Sequence, residues 1–201
     1  TPAYVYSWAP GGPTVNPTIT TVYSVWVTDA NGCTAGPQTV TITVNPPLSV
    51  VASAPVAICI GGSIPISALG SGGNGGPYTY NWMPNNLAGQ SVTVSPTATT
   101  TYTVTLTDNC GTPAVTDTVT VTVNPLPVVS FSGIDTAGCA PLLVTFTNNT
   151  TGSVSCSWNF GDGNTSSSCG NPVTYTYPVP GGPYNVFLQV TDANGCVASS
   201  T

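Results

Sequence analysis

Three copies of one sequence motif divide the chain and limit the folds that it can adopt. Each copy has an apolar residue at every second position before a Thr-Asp pair, which a cysteine follows; the copies are residues 15–33, 94–110 and 184–196. A tryptophan precedes every copy; these are Trp8, Trp82 and Trp158, spaced 74 and 76 residues apart. A fixed period of this length indicates a tandem array of small domains.

The alternation within each copy predicts β-strands. Val, Tyr and Leu recur at every second position with Thr between them, as in residues 102–106 and 119–123. This period of two is typical of half-buried strands, and no segment shows a sustained helical period. Asn-Gly pairs at residues 31–32 and 194–195 mark tight turns. We therefore predict an all-β fold of small sandwiches, with the three tryptophans in their cores.

Proline-rich junctions separate the repeats. Asn45-Pro-Pro47 and Asn124-Pro-Leu-Pro127 read as short, semi-rigid linkers. We expect the C-terminal part of a domain over residues 1–46 and a complete domain over 47–125. Residues 126–201 are then expected to form a third domain that lacks its last strand.

Two explanations account for the incomplete first and third domains. The sequence is a window of a longer repeat array, which we favour. Alternatively, neighbouring subunits complete the domains by strand addition, as in pilus-like fibres. The second explanation is less favoured because the absent pieces are not obviously complementary.

Composition argues against catalysis. The chain has no Lys, Arg or His, and its six acids are all Asp. It therefore lacks an imidazole base, a Schiff-base amine and an Arg clamp, and it has no cations for nucleic acid. No apolar run reaches the length of a membrane span. We expect a protein that is not an enzyme, needs no cofactor, and neither binds nucleic acid nor inserts into a membrane.

Seven cysteines without a zinc-type cluster favour disulfides and an oxidising, extracellular compartment. Alignment of the repeats suggests one bridge within each later domain. The expected pairs are Cys59–Cys110, Cys139–Cys196 and the local Cys156–Cys169. Cys33 would then pair with a residue upstream of residue 1 or stay free.

The third repeat resembles a PKD domain. The resemblance rests on Cys139-Ala-Pro-Leu-Leu-Val-Thr-Phe-Thr-Asn148, Trp158-Asn-Phe-Gly-Asp-Gly163, Tyr175-Thr-Tyr177 and the strand from Gly182 to Asp192. The family's hallmark is a Trp-Asp-Phe-Gly-Asp-Gly turn before a Tyr-rich strand and a terminal Val-Thr-Asp. Asn159 replaces the first Asp of that turn, which weakens an acidic role there. The resemblance implies Ig-like, PKD-type sandwiches, here stapled by disulfides.

Repeats one and two are similar to Ig-like repeats of large secreted Bacteroidota proteins, including gliding-motility proteins and surface adhesins. Residues 95–108, Ser-Pro-Thr-Ala-Thr-Thr-Thr-Tyr-Thr-Val-Thr-Leu-Thr-Asp, carry this similarity. It implies an extracellular, cell-surface array and no catalytic activity. We expect a structural segment of a surface fibre or filament whose partners are copies of itself or adjoining repeats. The alternative is a carbohydrate- or surface-binding adhesin, or a spacer module of a secreted polysaccharide-degrading enzyme, with glycans as ligands.

The aspartates that end equivalent strands are the first candidate site. Asp29, Asp108 and Asp192 each precede a tight turn, where side-chain bonds to the turn backbone are the simpler interpretation. Calcium is the sharper hypothesis, but the acid clusters that such sites prefer are absent. We therefore predict no metal site and keep these residues as weak calcium candidates.

Outward aromatics and modified threonines complete the candidates. Trp26 and Phe187 occupy outward positions of their strands, so they are either incidental or contacts for a subunit or a glycan. Asp117-Thr-Val119 and Asp135-Thr-Ala137 resemble the O-glycosylation tripeptide of secreted Bacteroidota proteins. The resemblance makes Thr118 and Thr136 candidate acceptors.

Overall fold

A computed structural model describes residues 3–201, and these residues form strands, turns and loops with no helix. The predicted all-β fold is confirmed. No helix among the described residues could therefore cross a membrane. The chain divides into two compact units, described separately below. The first contains residues through Ala52 with Ser67–Gln90 and Thr103–Asp117; the second contains Ser53–Ile66, Ser91–Tyr102 and Thr118–Thr201.

The first unit contains a three-stranded antiparallel sheet from the first repeat. Its strands are β1 (Val5–Ala9), β2 (Thr21–Thr28) and β3 (Thr34–Ile42). Their order is β1-β2-β3, so β3 is an edge strand. The ladder between β2 and β3 is irregular between Val25 and Val27. Gly36 lies opposite this irregularity with φ at 121°, where a Cβ would stand only 2.8 Å from the Val25 carbonyl oxygen.

The middle repeat contributes strands to both units. They are β4 (Ser49–Ala52), β5 (Val56–Cys59), β6 (Ile64–Ser71), β7 (Tyr78–Met83), β8 (Leu87–Ala88), β9 (Ser91–Val94), β10 (Thr100–Asp108) and β11 (Val115–Asn124). In the first unit, β4 pairs with β6 and β10 pairs with β7, both antiparallel. In the second unit, β5 pairs in parallel with the end of β11. The domain boundaries proposed above, after residues 46 and 125, stay predictions.

Strand β10 shows how the alternating sequence produces these elements. Tyr102, Val104 and Leu106 are at most 1% exposed, whereas the threonines between them are partly exposed. One face of the strand is therefore apolar and buried, and the other is polar. Trp82 on β7 pairs with Val104 in register and is fully buried, as predicted for a core tryptophan.

The third repeat forms a β-sandwich inside the second unit. Its strands are β12 (Phe131–Ile134), β13 (Leu142–Asn148), β14 (Ser153–Asn159), β15 (Thr165–Ser166), β16 (Val173–Tyr177), β17 (Phe187–Asp192) and β18 (Val197–Ser200). One sheet has the order β12-β13-β16 and the other β15-β14-β17-β18. Apolar side chains from both sheets meet in one core.

The sandwich core is built on aromatic rings. Trp158 is fully buried, lies 5.7 Å from Phe146 between ring centroids, and donates its indole N–H to the Ser168 carbonyl over 3.1 Å. Buried Tyr177 donates its hydroxyl to the Phe160 carbonyl over 2.8 Å. Among the described residues, no buried side-chain polar atom lacks a hydrogen-bond partner. Aromatic burial with satisfied polar ends stabilises a small domain that has few other large side chains.

Candidate functional site

Two of the three repeated Asp-Cys turns have the same geometry. The Asp29 carboxylate accepts the backbone N–H of Asn31 over 2.9 Å and of Cys33 over 2.8 Å. The Asp192 carboxylate accepts the corresponding N–H groups of Asn194 and Cys196 over 2.8 and 2.9 Å. The glycine before each cysteine has positive φ, 85° at residue 32 and 78° at residue 195, which explains the Asn-Gly sequence.

The turn after β10 keeps this pattern, but Cys110 stands in the place of Asn31 and Thr112 in the place of Cys33. The Asp108 carboxylate accepts the backbone N–H of Cys110 over 3.1 Å, the N–H of Thr112 over 3.3 Å and the Thr112 hydroxyl over 2.9 Å. Desolvation acts to raise the pKa of Asp108, but these bonds, with that from the Asn74 N–H, outweigh it and lower the pKa. The Asn45 side-chain amide lies 3.9 Å from the Cys110 sulfur.

All three carboxylates therefore serve their own turns, as the simpler interpretation predicted. Among residues 3–201, no group of three or more His, Cys, Asp or Glu side chains is placed to hold a metal ion. A calcium role for Asp29, Asp108 or Asp192 stays a prediction.

The cysteine pairing differs from the prediction. Cys59 is bonded to Cys196, with their Cα atoms 5.6 Å apart, so the predicted pairs Cys59–Cys110 and Cys139–Cys196 are wrong. Cys33, Cys110 and Cys139 are free and exposed. The predicted local bridge between Cys156 and Cys169 is present.

The strand positions explain this difference. Cys59 ends β5 and lies opposite Asn124, at the linker that follows its own repeat. Cys110 lies beside Asn45, at the linker that precedes the same repeat. By the same arrangement, Cys196, near the end of the third repeat, lies at the linker before that repeat. This position is next to Cys59, which lies near the start of the middle repeat. The observed bridge joins a strand of the middle sequence repeat to the third sequence repeat, and both cysteines lie in the second compact unit.

The two outward aromatics are half-buried. Phe187 pairs with Asn159 and alternates with buried Leu188, so it lies on the polar face of its sheet. Trp26 lies at the irregular ladder of β2 and β3, where its ring is close to Gly36. Their role in contacts with a subunit or a glycan stays a prediction.

The two candidate threonines occupy different surroundings. Thr118 is exposed on β11, and Thr136 is exposed in the loop between β12 and β13. Glycosylation of either residue stays a prediction.

Asp162 makes a contact outside its own turn that the sequence did not predict. Its carboxylate accepts the Tyr175 hydroxyl over 2.6 Å and the Asn164 N–H over 3.0 Å. The Tyr175 hydrogen bond lowers the pKa of Asp162, and the same bond raises the pKa of Tyr175. The Tyr175 ring stacks on Phe160 at 4.0 Å, so this contact ties the turn to the core. The sequence feature that points to this contact is the Tyr-Thr-Tyr alternation of β16, because it places two tyrosines on one face of the strand.

The third repeat also contains a cavity of about 640 Å³ that the sequence did not predict. The loop 136–140 and the loop 179–184 form its sides, and Phe146, Tyr177 and Tyr184 line its apolar interior. Tyr177 and Tyr184 stack at 4.6 Å. Two Pro- and Gly-containing loops form the cavity walls, and their conformations are not specified by any periodic pattern.

Comparison with known proteins agrees with the strands and sheets described above. Residues 124–201 match the family model of the PKD domain, so this part of the chain is a PKD/Ig-like domain. No curated protein matches the chain. The chain is therefore an all-β, disulfide-linked protein with Ig-like sandwich architecture.

Solved structures also match the chain, at low identity. Fibronectin(III)-like modules of Clostridium thermocellum CbhA are 15% identical with a TM-score of 0.37, over 76% of this chain and 90% of that one. Extracellular domains 3–5 of Drosophila OTK are 10% identical with a TM-score of 0.41, over 90% and 69%. The N-terminal eight Ig domains of Down Syndrome Cell Adhesion Molecule are 14% identical with a TM-score of 0.40, over 98% and 31%.

Proposed function

We propose that the chain is a structural segment of an extracellular repeat array that builds a cell-surface fibre or filament. The bridge between Cys59 and Cys196 carries this proposal, because it joins successive repeats covalently. Both cysteines lie in the second compact unit, where the bond ties β5 of the middle repeat to the third repeat. Structural disulfides persist in oxidising compartments, which supports a location outside the cell.

The use of the acidic side chains also supports a structural role. Asp29, Asp108 and Asp192 hold turns, and the Asp117 carboxylate accepts the Ala52 N–H over 2.8 Å. Asp162 accepts the Tyr175 hydroxyl. Catalysis by paired carboxylates needs acids that converge on an open cleft. These acids instead stabilise the backbone and the core.

The surface suits association between copies. Charged residues make up 3% of the chain, against roughly 25% in typical globular domains. Low charge leaves little electrostatic repulsion between neighbouring chains. The edge strand β3 is exposed over nearly its whole length and carries exposed Val40, so it offers backbone groups and apolar surface together.

Electron microscopy of the purified 201-residue protein under oxidising conditions tests this proposal. We expect filaments with a regular axial repeat. Single particles that stay monodisperse at high concentration would contradict a fibre-forming role. Glycan-array binding by such single particles, lost in Trp26→Ala, would favour the alternative of a carbohydrate-binding module.

A further inference from the structure

The loop between β6 and β7 is docked on the linker between the first and middle repeats. It runs from Gly70 to Pro77 and contains five glycines, a composition that predicts a flexible segment. Gly73 is nevertheless buried, and its N–H donates to the Pro46 carbonyl over 2.9 Å. The loop therefore contacts the linker directly, and flexibility does not explain its glycines.

Gly72 and Gly73 leave the space in which the linker lies. A Cβ on Gly72 would overlap the Pro47 carbonyl oxygen. A Cβ on Gly73 would overlap the Leu48 side chain and the Asp108 carboxylate. The φ angles of the two glycines are 80° and 57°, which residues with a side chain rarely adopt. Glycine is therefore needed at both positions, because two backbone segments approach closely and the loop is left-handed there.

The loop is held in its docked conformation by hydrogen bonds within the middle repeat. The Tyr78 hydroxyl donates to the Gly72 carbonyl over 2.7 Å. The Gly75 N–H donates to the same carbonyl over 3.1 Å. The Asn74 N–H donates to the Asp108 carboxylate over 3.4 Å. The loop is thus fixed by a tyrosine and by the aspartate that holds the turn after β10.

The linker is anchored at both of its ends. At the first repeat, the Val44 N–H donates to the Thr20 hydroxyl over 3.1 Å. At the middle repeat, the Leu48 side chain is buried. Between these anchors, Pro46 and Pro47 fix their own φ angles and restrict the residue before each of them. Few backbone torsions are therefore left free to bend this junction.

The linker lies inside a compact unit rather than between two. The first compact unit contains residues on both sides of residues 45–47, since it runs through Ala52 and also includes Ser67–Gln90. Flexible linkers instead mark domain boundaries, where few contacts cross. The packing around this linker is therefore that of a fixed segment.

We propose that residues 70–77 form a clamp, here called the linker clamp, that makes the junction between the first and middle repeats a rigid joint. The linker clamp sets the angle between the β1–β3 sheet and β7, which belong to the same compact unit. A free linker would instead let each repeat turn independently. This inference goes beyond the proposed fibre function, because a rigid joint acts equally in a spacer array.

Two alanine variants in the same loop separate the linker clamp from a general effect of alanine. Gly72→Ala places a methyl group on the Pro47 carbonyl oxygen, whereas a Cβ on Gly75 meets no atom within 4 Å. The φ angles of the two glycines, 80° and 85°, are nearly equal, so the backbone strain is matched. Only Gly72→Ala should therefore push the loop away from the linker.

Tyr78→Phe is a milder variant that decides the question if Gly72→Ala does not fold. It removes the hydrogen bond to the Gly72 carbonyl and adds no atom to the loop. We expect it to loosen the linker clamp less than Gly72→Ala does, because the Gly75 N–H still bonds to that carbonyl. Circular dichroism of every variant checks that its strands are intact.

NMR of the 201-residue protein measures both the linker clamp and the joint. Amide hydrogen exchange at Gly73 reports the bond to Pro46. We expect this exchange to be roughly fivefold faster in Gly72→Ala than in Gly75→Ala, because one hydrogen bond is lost. Residual dipolar couplings report the joint. Amides of β2 and β7 should fit one alignment tensor in the native protein and in Gly75→Ala, and two different tensors in Gly72→Ala.

A folded Gly72→Ala protein with native exchange at Gly73 and a single tensor would overturn the proposal. A native protein that already needs two tensors would also overturn it. If Gly72→Ala does not fold, unchanged exchange at Gly73 in Tyr78→Phe would have the same consequence. Filament formation is a separate measurement, so the linker clamp and the fibre function can fail independently of each other.

Discussion

Removal of the Cys59–Cys196 bridge should destabilise the chain more than removal of Cys156–Cys169. A disulfide acts mainly by reducing the conformational entropy of the unfolded chain, and its effect grows with the loop that it closes. The two bridges span 137 and 13 residues. The chain-entropy relation then gives about 5 kcal/mol for the long loop and about 3 kcal/mol for the short one.

Paired alanine variants of each bridge provide the comparison, because each bridge has one buried cysteine. Cys196 and Cys156 are 0% and 6% exposed, so the loss of buried sulfur is similar and the loop term decides the difference. We expect urea unfolding, followed by tryptophan fluorescence, to show a gap of about 2 kcal/mol in the free energy of unfolding.

The dependence on urea gives a second readout. Opening the long loop lets the unfolded chain expand further, so the slope of free energy against urea should rise more in the Cys59→Ala/Cys196→Ala variant. Equal losses of stability, or a larger loss for the short loop, would refute the reasoning. Added salt should change neither result, because the chain has no cationic side chain to form ion pairs.

Two further predictions concern the third repeat. Tyr175→Phe should raise the pKa of Asp162 back toward 3.8, measured by NMR titration of the carboxyl carbon. The variant should be less stable than the native protein above pH 3.8, and this difference should vanish as the pH falls through the lowered pKa of Asp162 in the native protein. An unchanged pKa would show that the hydrogen bond is not formed. Leu188→Ala, at a fully buried position, should cost about 2–5 kcal/mol in urea unfolding, whereas Leu143→Ala, at a position 56% exposed, should cost far less.

Strands and turns were predictable because their physics is local. The alternation in β10 and β17 requires only a period of two, and the Asp-Ala-Asn-Gly turns require only a carboxylate and a residue that tolerates positive φ. Trp82 and Trp158 were correctly assigned to the core for the same reason, since each lies in an apolar strand frame, whereas Trp8 on β1 is only partly buried.

The disulfide pairing was not predictable because it depends on which ends of strands meet. Alignment of the repeats suggests that Cys59 and Cys110, which belong to one repeat, pair with each other. Parallel pairing of β5 with β11 instead places Cys59 at the linker that follows this repeat. Neither spacing nor periodicity encodes that step. The hydrogen bond between Asp162 and Tyr175 was not predicted for a similar reason, because it joins a turn to a strand and each element is described by its own local pattern.

The bridge between Cys59 and Cys196 also determines how the chain responds to tension. A force applied at the two ends bypasses the residues between the sulfurs, so the aromatic core around Trp158 lies outside the mechanical path. At roughly 3.5 Å per residue, the 137-residue separation removes about 480 Å of extensible length. Reduction of one bond restores that length, which makes the extensibility of each copy a function of the redox potential around it.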